Sequence, residues 1–413
     1  MTFRICIHRG TLEIGGSCVE LNLDGARVVV DVGLPLDEEF DVAELPATLE
    51  TKGLLAAVLS HGHRDHWGLL PKLDHRIPVH LGRRTLSMMR AAQPFVPGGY
   101  VPAVASVYED GNPFEIGPFK FTPCLMDHSG FDAYGFLIEA GGRRVYYSGD
   151  VRGHGRKAAL FERFLAEPPP GVDLLIMEGS SLGRLQEGAR FETEGAIEAR
   201  LVDAISRTKG MFLVACSAQN IDRVVSVYRA ARRSGRELLV DAYAAEVLKA
   251  TETRSIPKPA DDWADVRVYI PQAQRRHLVQ KGIASVVDAY KGRRVFPEHL
   301  AGRARSSVMI IRPWMIDDLR SAGALDGARA IWSQWDGYLD EPSGKCFLQK
   351  CDALGVPTEI IHTSGHADPI DLGRLAIAVA AKAILPIHTF HGDRFPELFP
   401  NVVRVADGEW RTV

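Results

Sequence analysis

Long apolar runs, cysteine and net charge are all scarce in this 413-residue chain, and each shortage removes a class of protein. No stretch approaches the roughly 18–20 apolar residues that a bilayer-crossing helix needs, so no membrane span is expected. The N-terminal segment carries Arg4, His8 and Arg9 in a strand-like run. It has no long apolar core followed by a small-residue cleavage site, so no secretory signal is read there. Cys6, Cys18, Cys124, Cys216, Cys346 and Cys351 form no Cys-x-x-Cys pair, and their spacing frames no disulfide scaffold. Most lie in apolar stretches and are expected to be small core residues in a reducing cytoplasm. A formal charge of −3, from 49 basic and 52 acidic residues, announces no polyanion partner. A local basic groove still fits inside that balance.

What is present suits a globular enzyme. With 46% hydrophobic and 24% charged residues, the chain can bury a large core and is not disordered as a whole. Its length predicts two or three domains, at roughly 100–200 residues each. The first part alternates strand-like runs with glycine turns: 3–8, 17–23, 27–32 and 54–60, then 119–125, 133–140, 145–148 and 174–177. Asp24-Gly25 is a hairpin turn. From about 195 the texture becomes helix–strand alternation, with helices over 195–207 and 220–233 and strands at 211–215, 237–240, 308–312 and 330–332, a doubly wound α/β rhythm. The first texture then returns, with a strand at 359–362, a helix over 371–381 and a strand at 383–387.

The chemistry concentrates at 61–66, which reads His61-Gly62-His63-Arg64-Asp65-His66 directly after a strand. His61 and His63, two apart in an extended turn, can face one ion. Asp65 and His66 follow where a helix could begin, and can point at a second. Imidazole and carboxylate are good ligands for zinc and similar divalent ions, and so many groups would not be desolvated together without something to satisfy them.

This run resembles the His-x-His-x-Asp-His signature of the metallo-β-lactamase superfamily, and other pieces follow in that family's order. Asp31 ends a valine run, His128 stands in Asp127-His128-Ser129-Gly130, and Asp150 ends Tyr147-Ser148-Gly149-Asp150. Glu178, His366 in Ser364-Gly365-His366-Ala367 and His388 in Pro386-Ile387-His388 resemble the added motifs of the β-CASP group, its nucleic-acid-processing branch. Within it, Ser364-Gly365-His366 and Cys216-Ser217-Ala218-Gln219-Asn220 most resemble ribonuclease J, and the expectation is a compact form lacking the small C-terminal domain.

The resemblance implies an α/β fold: a four-layered αβ/βα sandwich with an inserted α/β β-CASP domain. The sandwich's first part would span 1–200, the insertion 201–345 and the completing part 346–413. It implies two zinc ions, with manganese as the alternative. His61, His63 and His128 would hold the first, Asp65, His66 and His388 the second, and Asp150 would bridge them. Two such ions lower the pKa of a water and clamp both oxygens of an in-line displacement at phosphorus. Asp65 would also act as proton acceptor. Asp31 reads either as the orienter of a ligand histidine or as a strand-end turn residue, and Glu178 as the orienter of a ligand or His366, or as a loop cap. His366 would contact the scissile phosphate and protonate the leaving oxygen, with Ser364 and Gly365 adding donors. Ser217 and Asn220, at a strand-to-helix junction, would hold a 5′-phosphate.

The resemblance also implies that a histidine at 388, in the family's last motif, leans the reading toward RNA, and single-stranded RNA would want a cationic groove with stacking aromatics. Arg152, Arg156 and Lys157 follow a metal ligand. Arg275, Arg276, Lys281, Lys291, Arg293, Arg294, Arg303 and Arg305 crowd the insertion with Tyr290 and Phe296 among them. His8, His75, His80, His277, His299 and His362 read as surface or packing residues. His154 and His391 read either as neighbours of the site or as turn residues. The expected protein is therefore a cytoplasmic ribonuclease, exo- or endonucleolytic, with a homodimer as its candidate assembly. Two other classes stay open: a two-zinc hydrolase of a small ester, thioester or non-RNA phosphoester, and a non-catalytic RNA-binding relative.

Overall fold

The computed structural model describes residues 1–186 and 188–413. The chain divides into two units. The first comprises Met1–Arg90, Tyr100–Phe191 and Gly365–Val413, and the second Ala91–Gly99 and Glu192–Ser364. The boundaries expected at 200/201 and 345/346 therefore fall at 191/192 and 364/365. The insertion is longer because the helices Glu194–Ser206 and Pro342–Ala353 and a strand at Thr358–Ile360 belong to it.

In the first unit, β1 (Phe3–Arg9), β2 (Cys18–Leu23), β3 (Ala26–Val30), β4 (Leu54–Val58), β5 (Val79–Gly82) and β6 (Ala105–Tyr108) form one sheet, and β7 (Phe114–Ile116), β8 (Phe119–Leu125), β9 (Tyr134–Ala140), β10 (Arg143–Tyr147) and β11 (Leu174–Glu178) build most of another. The second unit contributes β12 (Phe212–Ala215), β13 (Glu237–Val240), β14 (Val266–Tyr269), β15 (Arg294–Val295), β16 (Ser307–Ile311), β17 (Arg329–Trp332) and β18 (Thr358–Ile360). The chain then returns with β19 (Ala383–Ile387) and β20 (Trp410–Thr412). The sheets run β20-β1-β2-β3-β4-β5-β6, β19-β11-β10-β9-β8-β7 and β15-β14-β13-β16-β12-β17-β18. The third is parallel at every pairing, as helical crossovers require.

The period-2 patterning explains the layers of the first unit. Ile5, Ile7, Val28 and Val30 of one sheet meet Phe121, Phe136, Val145 and Ile176 of the other in a common core. Alternate residues face outward to helical cover. Val29 and Ala57 join Trp67, Leu70 and Met89 on one side, while Tyr146, Leu175 and Met177 join Phe161, Leu372 and Leu375 on the other. The result is the four-layered sandwich. Each buried aromatic or branched side chain contributes about 1.5–3 kcal/mol.

The helix read from 371 begins earlier, at Pro369. Asp368 caps it by accepting the Asp371 N–H at 2.9 Å, and proline suits the first turn because its missing N–H has no partner there anyway. No helix of the described residues is long and apolar enough to cross a membrane.

Candidate metal centre

The chemistry-bearing side chains of the first unit sit just past strand ends. Asp31 follows β3, His61 follows β4, His128 follows β8, Asp150 follows β10, Glu178 closes β11 and His388 follows β19. The carboxyl ends of strands in α/β sheets are where loops can converge on a ligand. Two of these residues occupy the left-handed backbone region, Asp31 at φ 58° and His388 at φ 54°. That conformation is costly for a residue with a Cβ and persists only where the surroundings hold it. Here the Asp31 N–H donates to Val58 O at 2.8 Å and the His388 N–H to Gly10 O at 2.7 Å.

Three donor groups share Asp150. In the first, His63 Nδ1 lies 3.1 Å from both His61 Nε2 and His128 Nε2. Asp150 Oδ2 is 3.6 Å from the His61 ring and 3.7 Å from the His128 ring. In the second, Asp150 Oδ2 lies 3.1 Å from His66 Nε2 and 3.9 Å from His388 Nε2, and Asp65 Oδ2 lies 3.7 Å from each of those nitrogens. The third is Asp150, Glu178 and His366, with His366 Nδ1 at 3.1 Å from Glu178 and 3.8 Å from Asp150. In every group the ligand-type atoms lie within 4.8 Å of one another.

The electrostatics suit a cation. Burial pushes His61, His128 and His388 below the ordinary imidazole value, and His63 down to about 4. The direction favours the neutral imidazole that a metal ligand requires. Burial opposes charge on His66 as well, yet Asp150, Asp31 and Asp65 hold its pKa well above the usual value. Burial likewise opposes charge on Asp150, but His388, His66 and His366 hold its carboxyl well below the usual range. For His366, burial is outweighed by Glu178 and Asp150, which raise it. Asp150 Oδ1 and His388 Nε2 are buried with no hydrogen-bond partner among the described residues. An unmet buried polar atom costs about 1–3 kcal/mol, and a divalent cation between these oxygens and nitrogens would satisfy both. The donor set therefore fits such an ion.

Around this centre lies a shell of which the sequence pointed only to Asp31 and Glu178. Asp31 Oδ2 accepts from His66 Nδ1, Ser60 Oγ and Tyr147 Oη, each at 2.8 Å, and its Oδ1 accepts the Ser60 N–H at 2.7 Å. Of its two readings, the orienter of a histidine is the one this geometry supports. Ser17 Oγ lies 2.9 Å from His388 Nδ1. Ser180 Oγ lies 3.2 Å from His366 Nδ1 and donates to His388 O at 3.2 Å. Ser17, Ser60 and Ser180 lie just outside strands and Tyr147 closes β10, and isolated serines and tyrosines of this kind carry no spacing signal in the sequence. Gly365 makes a close approach: a Cβ there would lie 2.6 Å from Ser129 Oγ, beside the His128 ring.

Several expected substrate contacts lie elsewhere. Arg152 is wholly buried, with Nε 3.4 Å from Asp127 Oδ1, so it braces its loop instead of lining an open groove. The Lys157 amine donates to the carbonyls of His128 (2.8 Å) and Gly130 (3.1 Å), pinning the loop that carries His128. In the second unit, the Asn220 side chain caps the helix Ile221–Arg233 by accepting the Arg223 N–H at 3.0 Å, and Ser217 Oγ accepts the Gln219 N–H at 3.2 Å. Both oxygens are thus engaged within their own turn. Ser364 is the last residue of that unit, nearly buried. Tyr290 is buried with its hydroxyl on Glu246 at 2.5 Å, so it is no stacking platform, whereas Phe296 is exposed under the Arg294 guanidinium, 4.7 Å away. Arg293 pairs with Asp261, Arg303 with Glu237 and Lys291 with Asp288.

Among the remaining histidines, His8 is a packing residue bridging Glu20 and Thr48, each at 2.8 Å. His391 packs on Gly183. His154 is buried 5.5 Å from Phe191, in a group with Asp368 and Asp371. That group is already occupied structurally, since Asp368 caps a helix and Asp371 pairs with Arg374 at 3.0 Å.

Comparison with known proteins places the chain among similar folds and sequences. Residues 26–205 match a beta-lactamase superfamily domain. The chain is 26% identical over 402 residues to a ribonuclease J of Sinorhizobium meliloti, covering 92% of this chain and 65% of that one. A ribonuclease J of Mycobacterium tuberculosis is 26% identical over 57% of this chain and 44% of its own length. A ribonuclease of Thermus thermophilus is 30% identical over 43% of each chain. This chain thus spans less than two thirds of the length of the ribonuclease J relatives. Among solved structures, a protein of unknown function from Enterococcus faecalis superposes over the whole of both chains with a TM-score of 0.79 at 18% identity, which is agreement of fold.

Proposed function

This chain is a metallo-β-lactamase-fold, ribonuclease J-like protein, and from that premise we propose that it hydrolyses RNA phosphodiester bonds with two divalent cations, zinc or manganese. The observation that carries the reading is the position of Asp150, whose Oδ2 lies 3.1–3.9 Å from ring nitrogens of both histidine groups. His61, His63 and His128 would hold one ion, Asp65, His66 and His388 the other, with Asp150 shared. When bound, such a pair supplies a water of lowered pKa and stabilises charge on the attacking and leaving oxygens.

The chain's own groups do the rest. Asp65, whose side chain keeps 15% exposure, accepts a proton from the attacking water. Glu178 and Ser180 fix the His366 ring through Nδ1, and His366 contacts the scissile phosphate and gives a proton to the leaving oxygen. Ser364 and Gly365, immediately before it in the chain, add a hydroxyl and backbone N–H donors to the same phosphate, groups that need little reorganisation as charge develops. Asp31 holds His66 against the field of the cation. The second unit is read as the inserted β-CASP domain, and single-stranded RNA in the cytoplasm as the substrate.

The test is incubation with end-labelled RNAs bearing 5′-monophosphate, 5′-triphosphate or 5′-hydroxyl ends, with single-stranded DNA and a thioester in parallel. RNA cleavage that stops on chelation is the expected result, and the product ladder separates stepwise from internal cutting. Turnover of the thioester with every nucleic acid left intact would replace this reading with that of a small-ester hydrolase.

A further inference from the structure

The second unit carries a cleft that the proposed reaction does not use. It opens past the ends of β16 and β17, the edge of a parallel sheet where ligands commonly bind. Its volume is about 400 Å³, and its walls include Trp314, Trp332, Tyr338, Glu341, Phe347 and Lys350. Trp332 and Phe347 are buried with ring centroids 5.6 Å apart, and they form an apolar floor. Trp314 is 45% exposed and Tyr338 37% exposed. Trp335 beside them is 42% exposed, with its ring in edge contact with Tyr338 at 5.2 Å. Large aromatics gathered in water are typical of contact surfaces, where tryptophan and tyrosine supply most of the binding energy.

The charges decide what such a surface accepts. Glu341 is exposed in the wall of the cleft, and Asp336 and Asp340, near it in the chain, are exposed as well. Lys350, the cation in its wall, is held by Asp317 at 2.5 Å, and Lys345, on the same helix, is exposed outside the wall. A phosphate backbone would meet the Glu341 carboxylate here and a lysine already paired with Asp317, so nucleic acid is disfavoured. A cation that can lie on an indole or phenol face meets both an attractive ring and an attractive rim. We propose that this cleft docks an arginine- or lysine-bearing segment of a partner protein, the cationic side chain lying against Trp314 and Tyr338 and pairing with Glu341.

The test titrates the full chain into a short, labelled arginine-rich peptide, followed by fluorescence anisotropy. Saturable binding that weakens with salt is expected. A citrulline-substituted peptide, lacking the charge, should bind about tenfold more weakly, and Trp314→Ala and Glu341→Gln should each weaken the arginine peptide by a similar factor. Both positions are exposed, so thermal unfolding and metal content should not move. Absent saturation, or equal affinity for the citrulline peptide or for both variants, overturns the proposal. A single-stranded oligoribonucleotide is titrated in parallel; if it loses affinity in Trp314→Ala, the aromatics serve nucleic acid and the proposal also fails.

Discussion

Both units bury charged side chains, and two of them, Arg223 and Asp150, are met in opposite ways. In the second unit Arg223 is fully buried and every direction of its guanidinium is met. It bonds Glu194 at 3.0 Å, Ser333 O at 2.9 Å, Ser333 Oγ at 2.6 Å and His362 Nδ1 at 3.2 Å, while Ser226 Oγ donates to Glu194 at 2.7 Å. In the first unit the buried carboxylates and imidazoles crowd nitrogen against nitrogen and leave Asp150 Oδ1 and His388 Nε2 unmet. A satisfied buried network holds a fold together; at Asp150 and His388 the unsatisfied donor set fits a divalent cation.

The comparison can be broken most decisively at its unsatisfied end. His388→Ala should cut RNA hydrolysis by at least about a thousandfold and remove roughly one of two bound metal equivalents, with circular dichroism unchanged. Metal analysis together with a cleavage assay checks both, and wild-type turnover by metal-free variant protein would refute the centre. At the satisfied end, Glu194→Ala should destabilise the second unit by about 3–5 kcal/mol, because it strands a buried guanidinium. Chemical denaturation measures this, and metal content should stay constant. Asp31→Ala should weaken metal affinity about 10–100-fold by freeing the His66 ring, as removal of a ligand's hydrogen-bond partner typically does; competition with a chromophoric chelator reads the shift. The smallest effect is expected from Ser17→Ala, which removes one hydrogen bond to His388 worth about 1 kcal/mol and should lower metal affinity only several-fold in the same titration.

Much of the centre was legible because its residues sit in short, recognisable runs. His61, His63, Asp65 and His66 lie within six positions, and Asp31, His128, Asp150 and His388 each follow a clear strand. The short β5, β6 and β7 passed unread, since three or four residues show too little alternation to register. Arg152 misled for a related reason. An arginine two residues after a metal ligand looks like a phosphate contact, and only packing shows that Asp127 holds it inside. Tyr290 likewise reads as a stacking ring until Glu246 takes its hydroxyl.

Sequence alone determined which groups could bind metal and the order of the strands that carry them, because ligand chemistry and strand periodicity are properties of neighbours along the chain. Tertiary structure decided that Asp150 stands between two histidine groups, that Ser17 and Ser180 meet the rings of His388 and His366 while Tyr147 meets Asp31, and that Arg152 and Tyr290 turn inward. Those are contacts between residues up to hundreds of positions apart, and only the packing of sheet on sheet, with its constraints on where each buried polar atom finds a partner, can set them.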